Sequence, residues 1–117
     1  MKKVDKPWGH EEIITHTDKY IMKKIFIKAG HRLSKQFHLK KGETIYVEDG
    51  VFLLDLSQED GESNIITLHK GGVWHIPPKT IHRFTTPENS SATLIEVSTP
   101  ELEDVVRLSD DYGRTNA

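Results

Sequence analysis

The chain has 117 residues and no cysteine, a length that suits one domain and a composition that excludes disulfides, thiolate metal sites and thiol nucleophiles. Lys and Arg number 16 against 18 Asp and Glu, a formal charge of −2, too small for bulk attraction to nucleic acid. The opening MKKVDKPWGHEE has no apolar run behind its lysines, and no stretch approaches the roughly 18 apolar residues of a membrane span. No signal peptide or membrane segment is therefore expected, and a cytoplasmic location is.

In chain order, Pro7-Trp8-Gly9 resembles a docking turn whose indole would close one end of the barrel, with plain core packing of Trp8 the preferred reading. YIMKKIFIKAG is a β-branched, aromatic strand with a glycine stop, and SKQFHL is a short strand before a KKG turn. TIYVEDGVFLLDL reads as two strands across a Glu-Asp-Gly turn. QEDGES turns the chain into the strand NIITLH, and KGG turns it into VWHIPP, with TIHRFTT almost at once behind. Pro77 and Pro78 cannot donate to a ladder and belong at a strand end. PENSS precedes the last clear strand, ATLIEVST, and PELEDVVRLSDDYG predicts a short C-terminal helical segment or tail. Strands at this spacing predict an all-β sandwich or barrel, a single domain over 1–117.

Polar groups interrupt this pattern where apolar ones are due. Strand alternation puts Ser34, Gln36 and His38 on one face, Glu43 opens the next strand, and His82 opens another. Two imidazoles, a carboxylate and an amide oxygen suit a divalent first-row cation, with coordination positions left for water or substrate. Taken alone, the pattern also fits a half-exposed surface pair. Glu96 lies in the middle of an apolar strand, which makes it a candidate general base; the alternative is an outer face made of Leu94, Glu96 and Ser98. His75, beside Trp74, is a second candidate base. Parity with Ile21, Ile25 and Ile27 nominates Lys23 to face inward.

The longer frame carries a resemblance. Gly30, Gln36-Phe37-His38, Glu43 and Gly50, then Gly71, Pro77, Lys79 and His82, are spaced like the two signature motifs of the cupin superfamily, small jelly-roll barrels with a metal in the cavity. Most cupins have a histidine at the place of Gln36 and a glycine at that of Lys79. The segments KPWGHEEI, KKIFIKAGHRLSKQFH, IPPKTIHRF and LIEVSTPELEDVVRLSDDYGR resemble the C-terminal cupin portion of type II phosphomannose isomerases, from about Lys6 to Arg114. Two positions depart from that family: Lys40 stands where a further histidine is usual, and Thr44-Ile45 where His-Trp commonly follows the glutamate. Both are expected to alter the cavity mouth.

The resemblance implies one divalent metal on Gln36, His38, Glu43 and His82, zinc first among zinc, manganese, cobalt, nickel and iron. It implies a sugar-phosphate aldose–ketose isomerase, with mannose 6-phosphate and fructose 6-phosphate as the expected pair. A sugar-binding cupin without turnover and an iron-dependent cupin dioxygenase are the other classes. Glu96 and Lys23 are the expected catalytic groups with Arg114, which the family marks as functionally important. Arg32, Lys35, Lys40 and Arg114 are candidates for the phosphate, Asp110 and Tyr112 would order the tail around Arg114, and pairing through exposed edge strands predicts a homodimer.

Overall fold

The computed structural model describes residues 2–57 and 61–114. Among the described residues, ten strands form two sheets joined by one long shared strand. A hairpin of β1 (Lys2–Lys6) and β2 (Gly9–His16) lies beside β3 (Ile21–Ile27), then β9 (Ala92–Ser98) and the first half of β5 (Glu43–Ser57), with β7 (Val73–Ile76) on the far edge. The second sheet runs from β6 (Ser63–His69) through the second half of β5 to β8 (His82–Thr85), β4 (Lys35–Phe37) and β10 (Val106–Ser109). Every pairing between these strands is antiparallel.

The core follows from strand parity. In β3 and β9 alternate residues are buried, placing Ile21, Lys23, Ile25 and Ile27, and Ala92, Leu94, Glu96 and Ser98, on the inner face. Ile45, Val47, Phe52 and Leu54 of β5 and Phe84 of β8 meet them from both sheets. Trp8 joins this cluster at 2% exposure as core packing, and it also lines the cavity described below. The Phe52 and Phe84 rings meet edge to face with centroids 5.1 Å apart, a favoured aromatic geometry.

Three expectations change here. The Glu-Asp-Gly turn is no hairpin: β5 continues through it, with an irregularity between Val47 and Asp49, and crosses from one sheet to the other. Gly50 makes the corner at φ 83°, where a Cβ would fall 1.9 Å from the Ser91 carbonyl oxygen. Strands that switch sheets at such corners are how sandwiches close. The C-terminal helix is absent, replaced by turns near Leu102 and by β10, whose Val106 and Arg107 pair with Phe37 and Gln36. Its weak helical pattern yields to the unpaired edge of β4, which needs backbone partners. The N-terminal segment, expected only as a turn, is a full hairpin. Gln58 to Asp60 of the QEDGES turn lie outside the described residues.

Between the hairpin end of the first sheet and the β4–β10 end of the second lies a cavity of about 340 Å³, roofed by the segment from Leu102 to Arg107. No helix among the described residues is long and apolar enough to cross a membrane.

Candidate functional site

The short strand β4 ends just before His38, and a four-residue loop separates His38 from Glu43 at the start of β5. β8 begins at His82, opposite Gln36 in the ladder. These three strand ends converge, so that one ligand atom each from His38, Glu43 and His82 lies within 4.8 Å of the others. All three side chains are buried, at 4%, 2% and 1% exposure.

The surroundings fix how the imidazoles present themselves. Nδ1 of His38 bonds the Asp104 backbone carbonyl, and Nδ1 of His82 bonds that of Thr80 at 2.8 Å. A carbonyl only accepts, so each Nδ1 carries the proton and each Nε2 offers a lone pair to the interior. Glu43 Oε1 stands 3.1 Å from His82 Nε2 and 3.7 Å from His38 Nε2, and none of the three atoms has a hydrogen-bond partner. Three acceptors facing one another without water or donor would be costly. One divalent cation among them satisfies all three, and histidines braced at Nδ1 are the usual way such ligands are oriented. The residues present therefore fit a metal ion.

Gln36 is half-buried beside His82, lines the cavity, and accepts a hydrogen bond from Ser34 Oγ at Oε1, 2.7 Å away. A second lone pair on that oxygen is left for another partner.

Behind the cluster runs a line of alternating charge. Lys41, at 6% exposure, sets Nζ 3.4 Å from Glu43 Oε2 and 3.6 Å from Glu96 Oε2. Burial works against its charge, but Glu96 and Glu43 outweigh burial and hold Lys41 above the ordinary lysine value. Burial likewise opposes the charge on Glu43, yet its carboxyl is held well below the usual range, with the Lys41 ammonium favouring the charged form. Glu96 goes the other way: burial first, then the Glu43 charge, push it up to about 8. Lys23 is paired with Glu96 in the ladder and with Glu11 by an ion pair at 3.5 Å.

Sequence reading passed over Lys41 and Glu11. Lys41 looked like one more loop lysine, and Glu11 lay in a segment not recognised as a strand. A lysine two residues before a buried glutamate was the available signal for the first.

The other candidates are dispersed. Arg114 lines the cavity but holds Asp110 with two side-chain bonds, at 3.0 and 2.9 Å, and stacks over Tyr112. That makes the DDYGR ending a folded loop. Arg32, Lys35 and Lys40 do not line the cavity. Arg32 is exposed and bonded to Asp111 at 2.6 and 2.9 Å, while Lys40 is exposed in a loop whose backbone is held by Asp104. His75 faces outward, with Nδ1 3.1 Å from Thr44 Oγ1. Of the departures from the family, Lys40 is exposed, Thr44 is half-buried and Ile45 is in the core at 0% exposure, and none of the three lines the cavity. Lys79, where most cupins have glycine, has φ 68°, and its N–H donates to the His38 carbonyl at 2.6 Å.

Comparison with known proteins agrees with this architecture. Residues 1–110 match the family described as mannose-6-phosphate isomerase C-terminal. A mannose-1-phosphate guanylyltransferase of Escherichia coli is 33% identical over 97% of this chain and 23% of its own length. The xanthan biosynthesis protein XanB of Xanthomonas campestris is 31% identical over 97% of this chain and 24% of its own. The chain thus spans about a quarter of the curated relatives it matches. Among solved structures, a variant of oxalate decarboxylase from Bacillus subtilis superposes with TM-score 0.80 at 19% identity, over 98% of this chain and 32% of that one. KdgF from Halomonas gives 0.72 at 22% identity, over 86% and 87%. These likenesses show the fold, a cupin jelly roll. The chain belongs to the family of mannose-6-phosphate isomerase C-terminal domains.

Proposed function

We propose that this chain holds a divalent cation on His38, Glu43 and His82, with Gln36 as a further oxygen donor, and isomerises a sugar phosphate in the adjoining cavity. Mannose 6-phosphate and fructose 6-phosphate are the first pair to test, and zinc is the first metal. The observation that carries the reading is the set of three buried ligand atoms left without hydrogen bonds on strand ends that converge on one point. When bound, such a cation polarises the sugar carbonyl and offsets the negative charge that grows on its oxygens during enolisation.

The chain's own groups supply the rest. Asp104 and Thr80 orient the imidazoles through their carbonyls, and Lys41 holds the second oxygen of Glu43, leaving Oε1 for the cation. The cavity wall carries Lys2, Lys6, Lys23, Lys41, Arg107 and Arg114 against Glu11 and Glu103. With Lys23, Lys41 and Arg114 paired to Glu11, Glu43 and Asp110, the preference for an anionic sugar over a neutral one rests on Lys2 and Lys6. Relatives named for mannose 1-phosphate and for polysaccharide biosynthesis support a phosphorylated hexose. The family's own description supports the isomerisation.

Metal analysis of the purified chain tests this together with a coupled assay for mannose 6-phosphate isomerisation. Wild type should carry metal and turn over, and the His38→Ala, His82→Ala double variant should lose both while folding. Metal without turnover would leave a sugar-phosphate binder. Absence of metal after reconstitution with zinc, manganese, cobalt, nickel and iron would overturn the site.

A further inference from the structure

Isomerisation needs a base that reaches a carbon-bound proton of the sugar, and the structure separates the carboxylates that could serve. Glu96 is sealed, at 4% exposure, and is not among the side chains that line the cavity. Glu103 lines the cavity but sits on an exposed turn, with no ion pair to hold its carboxylate among the described residues. Glu11 combines both requirements. It stands on the inner face of β2, lines the cavity, and its side chain is only 15% exposed. Oε1 is held by Lys23 Nζ at 3.5 Å, while Oε2 makes no hydrogen bond among the described residues. Lys23 is itself 9% exposed at the side chain and packed between β2 and β9. Glu11 is also close enough to the metal cluster for its charge to act on Lys41.

We propose that Glu11 is the catalytic base of this isomerisation, taking the proton from C2 and returning it to C1, with Lys23 as its positioning residue. The inference rests on the isomerase reading. The C2–H bond breaks as its electron pair forms C1=C2, the carbonyl pair moves onto O1, and O1 takes a proton. O2 then gives up its hydroxyl proton, C2=O forms, and the C1=C2 pair takes the proton back from Glu11 at C1. One hydrogen has moved between carbons and one between oxygens, with no oxidant or reductant. A carboxylate with one oxygen anchored and the other turned to the substrate is suited to both transfers from one face of the sugar.

The test uses the full chain loaded with the metal that best supports turnover, with mannose 6-phosphate in D2O. Glu11→Gln should lower kcat roughly 10²–10⁴-fold, with KM changed less than about threefold. Solvent deuterium incorporation should fall with kcat, while metal content and unfolding temperature stay at wild-type values. Glu11→Asp should keep part of the activity, and Lys23→Met should lose kcat that Lys23→Arg restores. A Glu11→Gln enzyme within about threefold of wild type in kcat would overturn the assignment. So would loss of metal or of folding in both Glu11 variants, or a comparable loss in Glu103→Gln alone. If metal-loaded wild type itself neither turns over nor exchanges, the isomerase reading falls, and the assignment falls with it.

Discussion

Asp110 shows how one side chain in the tail secures the wall of the site. Its carboxylate is fully covered and takes two side-chain bonds from Arg114, one more from the Arg114 backbone and one from the Tyr112 backbone. The Arg114 hydrogen bond leads the contributions that hold its pKa at about 2, against 3.8 for a free aspartate. A lowered carboxylate pKa adds stability that is complete above the unfolded value and is lost as pH falls. The contribution, about 2 kcal/mol at 1.36 kcal/mol per pKa unit, should therefore vanish between pH about 3.8 and about 2. Urea titrations across that window should show the slope in wild type and its loss in Asp110→Asn. Equal slopes would mean that the pair contributes little. Arg114 was legible as important from the DDYGR ending, with Asp110 and Tyr112 as the residues that order the tail around it, and the structure gives both contacts. The two-point geometry of the Asp110 pair was not legible, because it depends on the loop's three-dimensional path.

At the scale of elements, the loop between β7 and β8 carries a strain that Lys79 reveals. Its φ of 68° costs a residue with a Cβ roughly 1–2 kcal/mol, whereas glycine adopts it freely at some cost in unfolded-state entropy. Lys79→Gly should therefore raise stability by about 0.5–1 kcal/mol, measured by chemical denaturation, with metal binding intact. A destabilised variant would mean that the Lys79 side chain contributes more than its backbone costs. Strand positions were readable from period-two alternation in β3 and β9, where inner and outer faces differ sharply. β5 was misread because Glu-Asp-Gly is chemically a hairpin turn, and only packing against Ser91 and β9 makes it a sheet-switching corner. β10 was misread for a related reason: its strand form exists because β4 offers it an edge.

For the whole molecule, the outer face of the first sheet leaves Tyr46, Val73 and Val97 exposed at 43%, 54% and 45%. Tyr46 pairs with Val73 across β5 and β7, and Val97 lies on β9 beside them. Contiguous exposed apolar side chains and open edge strands are what association covers, so the homodimer expected from sequence is retained as a prediction. Light scattering should give twice the 13.4 kDa of the chain, and Tyr46→Glu with Val97→Glu should return it to a monomer. A wild type that is monomeric at all concentrations would refute pairing.

The sequence by itself determined the all-β class, the inward parity of Lys23, and, through motif spacing, His38, Glu43 and His82 as one set, while the inward face of Glu96 was decided by the structure. Alternation and motif spacing are local properties, and local properties survive in a one-dimensional reading. Tertiary structure decided which carboxylates face the cavity, which cations line it, and which are spent on Asp110 and Asp111. Those outcomes depend on distances between strands far apart in the chain, where a few ångströms separate an ion pair from a free charge.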